Sequence, residues 1–194
     1  MKWNDHKPRC SWANPKNNLY IAYHDREWGV PVHDDQKLFE MLILESFQAG
    51  LSWECVLNKR EAFRRAFDGF DLSKVCAYGE EKLLALQQNP EIIRNRRKLR
   101  AAVQNAKIFR EIQRECGSFS SYLWSWSGGK VIYEQGRTSS ELSDAISCDL
   151  KKRGMTFVGT TILYAYLQAV GVIYSHEPGC FLEHRAEHPE YAHP

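Results

Sequence analysis

Residues 151–161 read KKRGMTFVGTT, and the fold turns on how this stretch is read. Gly154 stops a helix whose last turn carries Lys151, Lys152 and Arg153, cations that suit the negative end of a helix. A short apolar hairpin follows, and beyond Gly159 the pair Thr160-Thr161 opens a second helix that ends near Gly171. Such a turn presents backbone N–H groups and a positive helix end to an anion, and beside this basic cluster a DNA phosphate is a natural occupant. An ordinary helix–turn–helix connection packed for fold reasons fits the same residues and is the commoner meaning of such a turn.

Helical signals also dominate outward from this point. Thr138 and Glu141 fit a capping box for the helix before the hairpin. Residues 130–135 are the one strand-like run, behind a Ser127-Gly128-Gly129 turn. Asn89-Pro90 reads as an N-cap followed by Pro at the first helical position, opening a long helix with Ile92, Ile93, Leu99, Val103, Ala106 and Ile108 at its apolar positions. Asp34 or Asp35 caps a helix running to about Gln48, and Ser52 with Glu54 in the first turn starts another through Phe67. The expectation is a mainly α protein. No internal repeat, low-complexity tract or linker clearly divides it, so residues 1–194 read as a single unit with a loose tail over 183–194.

Composition narrows the function. At 43% hydrophobic and 12% aromatic the 194-residue chain can bury a substantial core, in one domain or in two small lobes sharing a cleft, which excludes disorder. No apolar run reaches membrane-spanning length, and MKWNDHKPRC has no apolar segment behind its charges, so a soluble cytoplasmic protein without a secretory signal is expected. Its six cysteines would then be reduced and available to metal. A net charge of +2 does not announce nucleic acid, but its distribution is uneven. Arg94, Arg96, Arg97, Lys98, Arg100, Lys107, Arg110 and Arg114 crowd one segment, and Lys151 to Arg153 form a second cluster. Either can hold a phosphate backbone, and either is equally well a solvated helix face.

Two groups carry chemistry. In LILESFQAGLSW, residues 42–53, Leu38, Met41 and Leu42 precede Glu45 by seven, four and three residues, which puts its carboxylate on the apolar face. A buried carboxylate without a partner is costly, so the partner is either elsewhere in the chain or a ligand. Cys10 and His24 near the start, with the His176/Cys180 pair near the end, supply two thiolates and two imidazoles, a set that suits structural, tetrahedral zinc pinning the two ends together. His184, His188 and His193 compete as ligands, and buried free cysteines with surface histidines explain the same residues equally well. Trp12, Tyr20, Tyr23, Trp28 and Trp53 flank these positions. If the metal brings the N-terminal segment against the Glu45 helix, rings and carboxylate form a pocket for a planar, electron-poor or cationic ligand; otherwise each ring is core.

These residues are also recognisable. R-C-x-W at 9–12, YIAYHDREWGVP at 20–31, LFEMLILESFQAGLSW at 38–53, IIRNRRK at 92–98 and KKRGMTFVGTT at 151–161 together resemble the DNA-3-methyladenine glycosylase I family of the helix-hairpin-helix glycosylase superfamily, in order and over nearly the whole chain. The resemblance implies a two-lobed helical fold with a helix-hairpin-helix element over about 143–171 and a lesion pocket between the lobes. It implies one structural zinc on Cys10, His24, His176 and Cys180. It also implies that Glu45 contacts the alkylated adenine, that Tyr23 and Trp53 stack on it, and that Tyr20 and Trp12 complete the pocket. Gly50 and Leu51 would enter the gap left in the base stack, while Lys152, Arg153, Gly154, Val158, Gly159 and Thr160 would meet the DNA backbone.

The implied activity is repair of alkylated double-stranded DNA by a monomer that flips 3-methyladenine out of the duplex and hydrolyses its N-glycosidic bond, leaving free base and an abasic site. A 3-methyladenine nucleoside is already cationic, so its base leaves without protonation. Many superfamily members place a catalytic Asp after the second hairpin helix, whereas this chain reads Gly171-Val-Ile-Tyr-Ser-His-Glu177 there and has no lysine at the Schiff-base position of bifunctional members, so no strand cleavage is expected. A non-catalytic, zinc-stapled nucleic-acid-binding module is the alternative, though it leaves Glu45 unexplained. A cysteine hydrolase is a poorer third reading, because zinc uses the Cys–His pairs.

Overall fold

The computed structural model describes residue 3 and residues 5–183, and within them the chain is mainly helical. The two strands are a pair of two-residue segments, β1 (Ile132–Tyr133) and β2 (Ile173–Tyr174), joined in parallel with Ile132 opposite Ile173. The helices in order are α1 (Asn18–Arg26), α2 (Asp35–Gln48), α3 (Trp53–Leu57), α4 (Arg60–Ala66), α5 (Leu72–Cys76), α6 (Glu80–Gln88), α7 (Arg96–Cys116), α8 (Phe119–Ser125), α9 (Glu141–Lys152) and α10 (Thr160–Ala169). A 3-10 turn, Asp68–Phe70, links α4 to α5.

Helix α2 is the axis of the molecule. Asp34 caps it, its carboxylate accepting the Lys37 N–H at 2.8 Å, and every residue from 38 to 47 is buried. A helix apolar on all sides must be surrounded, and α2 packs against α3, α7, α8 and α10. Two polar contacts fix it lengthwise: Tyr166 Oη donates to the Leu38 carbonyl at 3.2 Å, and Asp35 accepts the Phe119 and Ser120 N–H groups that open α8, both at 2.8 Å. Past α10, Gly171 turns the chain at φ +73°, and a Cβ there would lie 2.3 Å from the backbone of Val30 and Pro31. Only glycine permits that approach.

The hairpin helices run as expected, with Arg153 as C-cap of α9 and Gly159 as N-cap of α10, and Gly128 and Gly129 form the expected turn at positive φ. Four boundaries differ from the sequence expectation. The long helix starts at Asn95, whose side chain accepts from Lys98 N, and not at Asn89-Pro90; the Asn89 side chain instead accepts the Glu91 N–H, bending the chain into a turn that seats Ile92 outside any helix. The segment from Ser52 to Phe67 divides into α3 and α4 at Asn58-Lys59, which turns Arg60 inward to Glu27 and Glu40. The capping box of α9 is Ser140 with Ser143, because the Ser143 hydroxyl reaches the Ser140 N–H at 2.9 Å. The strand over 130–135 shrinks to two residues, and its partner 173–174 lies hidden in the apolar continuation of α10. The tail from residue 184 onward, with His184, His188 and His193, lies outside the described residues.

Candidate active site and metal centre

Helix α2 carries two buried acids with opposite fates. Glu40 accepts Arg60 Nε at 2.6 Å and Arg64 Nε at 3.0 Å. Glu45 is 2% exposed, and its Oε2 has no hydrogen-bond partner among the described residues. Desolvation raises its pKa from 4.5 to about 8, so the carboxyl holds a proton at neutral pH.

Glu45 opens into a cavity of about 300 Å³ lined by Trp12, Tyr20, Tyr23, Trp28, Gln48 and Trp53, with Arg137, Gln168, Ser175 and Glu177 on the side supplied by the C-terminal half. That volume is at the small end of ligand sites. Gln48 Oε1 and Trp53 Nε1 are likewise buried without partners, so a carboxyl, an amide oxygen and an indole N–H converge unsatisfied on one space. The rings are tilted rather than stacked: Tyr23 and Trp53 lie 5.2 Å apart at 44°, and Trp12 meets Tyr20 at 5.4 Å and Trp28 at 4.8 Å. Burial, with the charge of Glu45 among the lesser causes, moves Tyr20 up to about 12 and Tyr23 well above its usual value, so both phenols stay neutral donors.

Local chemistry explains why α1 and α3 supply these walls. The Asn17 side chain caps α1, its Oδ1 accepting the Leu19 and Tyr20 N–H groups and its Nδ2 donating to Glu54 on α3 at 2.7 Å. Asn14 donates to the same carboxylate oxygen at 2.8 Å. Glu54 thereby clips the N-terminal segment onto α3, placing Tyr23 against Trp53.

The metal-ligating set expected from sequence comes together. One donor atom from each of Cys10, His24, His176 and Cys180 lies within 4.8 Å of all the others, all four residues are buried, and the group can hold a metal ion. Cys10 Sγ is 3.4 Å from His176 Nδ1, and Cys180 Sγ is 3.5 Å from His24 Nε2. His24 turns Nε2 inward because its Nδ1 bonds Asp25 at 2.8 Å, and Arg9 fixes Asp25 through two bonds of 2.7 and 2.6 Å. The Glu177 N–H donates to Cys10 Sγ at 3.3 Å, and the Leu182 N–H to Cys180 Sγ at 3.5 Å, both favouring thiolate. Glu177 also accepts the Ser11 hydroxyl at 2.8 Å, tying the far end of the chain to the near one at the edge of the cavity.

The turn after α2 lies nearby. Gly50 sits at φ +77° with open space where a Cβ would be, and Leu51 is 43% exposed although large and apolar. Lys98 of α7 is buried and donates to the Phe47 and Ala49 carbonyls at 2.8 and 2.6 Å, satisfying the end of α2. Two helical turns further along α7, the buried Asn105 side chain donates to the Thr156 carbonyl at 2.9 Å and accepts the Thr156 N–H at 3.0 Å. Asn105→Ala, which strands both groups, should cost about 2 kcal/mol and lower Tm by about 4–8 °C; a shift below 1 °C in a thermal melt would show that the hairpin holds its shape without this clamp.

Within the hairpin, Lys152 and Gly154 are exposed. The Arg153 guanidinium, by contrast, is engaged by Glu115 and Asp149 at 2.6 and 2.8 Å. Val158 is buried and offers only backbone, its carbonyl accepting from Ser147, while the Thr160 hydroxyl bonds Ser143. Gln48, Arg137, Gln168 and Ser175 of the cavity were missed by sequence reasoning. Gln168 alone left a signal, a polar residue near the end of α10 after the apolar and aromatic run from Ile162 to Leu167.

Comparison with known proteins agrees with this arrangement. Residues 12–184 match the family model for methyladenine glycosylase. The chain is 46% identical over 178 residues to DNA-3-methyladenine glycosylase 1 of Escherichia coli K12, covering 89% of this chain and 95% of that protein. It is 43% identical over 179 residues to DNA-3-methyladenine glycosylase of Haemophilus influenzae, covering 89% and 96%. A crystal structure of 3-methyladenine DNA glycosylase I superposes with a TM-score of 0.86 at 46% identity, covering 90% of this chain and 98% of that one. The Staphylococcus aureus enzyme, whose structure concerns its recognition of 3-methyladenine, superposes with a TM-score of 0.86 at 35% identity, covering 90% and 96%.

Proposed function

Because the chain belongs to the methyladenine glycosylase family, we propose that it is a DNA-3-methyladenine glycosylase that extrudes the methylated base from alkylated duplex DNA and hydrolyses its N-glycosidic bond. The observation that carries this reading is the unpartnered Glu45 beneath a cage of aromatic rings. A non-catalytic binding module has no use for a buried carboxyl that nothing among the described residues satisfies. A flipped cationic base supplies the missing partner: its charge stabilises the carboxylate, its N–H groups meet Glu45 and Gln48, and its faces lie against Tyr23 and Trp53, with Tyr20 and Trp12 closing the pocket. Taking a base out of the stack costs about a few kcal/mol, less for a damaged one. Leu51 carried on the open Gly50 turn acts as the apolar wedge that fills the gap, and the hairpin from Lys152 to Thr160 holds the backbone, with Lys152 exposed beside it.

Glu45 therefore selects the substrate more than it drives bond breaking. The alkylated nucleoside already has a cationic leaving group, and water completes the displacement at the anomeric carbon. The cysteine–histidine cluster suits one structural zinc ion. Tetrahedral bonds of about 2.0–2.3 Å separate ligand atoms by roughly 3.3–3.8 Å, and the sulfur–nitrogen distances here are 3.4, 3.5 and 3.6 Å. With all four positions filled by protein, such an ion has no place for water and does no chemistry. Residues 1–194 act as one monomeric unit in the cytoplasm, and among the described residues no helix is long and apolar enough to cross a membrane.

A lyase would form a Schiff base with the opened sugar, and among the described residues no lysine lines this cavity. Incubation with alkylated duplex should therefore leave strands intact until alkali is added, with no adduct trapped by borohydride. A trapped covalent protein–DNA complex would overturn the monofunctional assignment.

A further inference from the structure

Resting on the glycosylase reading, we infer that Arg94, Arg96 and Arg97, at the start of α7, form a second phosphate-contact surface, on the opposite side of the Leu51 wedge from the hairpin. The placement follows from what α7 holds. Lys98 fastens the turn that carries Gly50 and Leu51, through the Phe47 and Ala49 carbonyls. Asn105 fastens the hairpin through Thr156, and the hairpin glycine Gly154 lies against Ile108 and Gln104 of the same helix. Along one rigid helix the order is thus arginine cluster, wedge, hairpin. The seven residues from Lys98 to Asn105 rise about 10 Å, about three steps of one DNA strand at ~3.4 Å each. A duplex whose gap is filled by Leu51 and whose backbone rests on the hairpin must continue past the wedge toward the three arginines.

The charges there are unspent. Arg94, Arg96 and Arg97 are exposed and make no ion pair, hydrogen bond or ring contact among the described residues. Their neighbours differ: Arg65 pairs with Glu91, Arg100 with Glu80, and Arg153 in the hairpin with Glu115 and Asp149. Among the described residues no acid pairs with these three, so none there must be displaced for phosphate to bind. A solvated helix face would leave them equally free, as it leaves Arg26 and Arg114; these three are set apart by preceding Lys98, which fastens the turn that carries the wedge.

Salt dependence decides between these, because each phosphate neutralised adds about 0.9 to the slope of log K against log salt. The measurement is binding to a duplex carrying a stable abasic-site analogue, across a potassium chloride series. It compares wild type, the triple variant Arg94→Gln/Arg96→Gln/Arg97→Gln, and a charge-matched control, Lys107→Gln/Lys130→Gln/Arg114→Gln. The triple variant should lose about 2–3 from the slope and bind about tenfold more weakly at moderate salt, while the control keeps a slope within about one of wild type. Free 3-methyladenine should quench the tryptophans of the triple variant and of wild type to the same extent, and melting should be unchanged. Slopes that agree within one among all three proteins would overturn the second surface while leaving the glycosylase reading intact. Equal losses in both variants would also overturn it, by showing a diffuse effect of net charge. Failure of wild type to bind the duplex at all would overturn the glycosylase reading together with this surface.

Discussion

Glu45→Gln is expected to make the empty protein more stable and the enzyme worse. Buried and unpartnered, Glu45 has a pKa of about 8 in the folded chain against an ordinary 4.5. Across that window the folded protein holds a proton that the unfolded chain has released, so stability falls as pH rises from about 4.5 to about 8, by ~1.4 kcal/mol per unit at most. At pH 7 the cost is about 3 kcal/mol, and glutamine, which has no proton to lose, avoids it. The variant should melt about 6–12 °C higher than wild type at pH 7, with an advantage that shrinks toward zero near pH 4.5. Excision should drop about 10- to 100-fold, because a charged hydrogen bond to the cationic base becomes a neutral one. Metal content and affinity for undamaged DNA should stay near normal. A variant with unchanged excision would mean that Glu45 is a structural acid, and one with an unchanged pH profile would mean that something satisfies it.

Metal removal should act in the opposite sense. The cluster joins residues from both ends of the described chain, and around it the Phe181 N–H donates to the Pro8 carbonyl at 2.8 Å. Without an ion, two buried sulfurs and two buried imidazoles must satisfy one another. We expect chelation, or Cys180→Ser, to cost about 4 kcal/mol or more and to lower Tm by about 8–16 °C. Hydrogen exchange should rise together near residues 9–12 and 176–182. Because Trp12 and Trp28 pack on His24 and His176, the cavity should loosen with the ends, so that base affinity falls although no ligand of the ion touches the base. A protein shown to have lost its metal, yet melting at the same temperature, would contradict a structural ion.

Local signals carried most of the architecture. Asp34, Ser52 and Gly159 cap helices where their side chains or flexibility predict. The errors arose where a short-range competitor intervened: Asn89 makes a turn with Glu91, and Ser140 outcompetes Thr138 for the cap of α9. At the site, the sequence exposed the anomaly of Glu45 because helical period alone puts it among apolar neighbours. What surrounds it was legible only in part. Rings on α1 and α3 lie close in sequence to Glu45, but Gln168 and Ser175 reach the cavity through the return of α10 and β2, more than 100 residues away, which no periodicity encodes. The four residues of the cluster that can hold a metal ion were legible by residue type, and the competing histidines could not be dismissed by spacing. The pairing of Arg153 with Glu115 and Asp149 was not legible either, because Glu115 lies 38 residues away on another helix.

The most direct test is release of base from dimethyl-sulfate-treated duplex DNA, with the soluble fraction separated chromatographically and the strands checked before and after alkali. Wild-type protein should release 3-methyladenine catalytically, leaving alkali-labile sites in unbroken strands, and Glu45→Gln should do so about 10- to 100-fold more slowly. Firm binding of the alkylated duplex with no methylated base in the soluble fraction would contradict the account and leave a zinc-stapled DNA-binding module in its place.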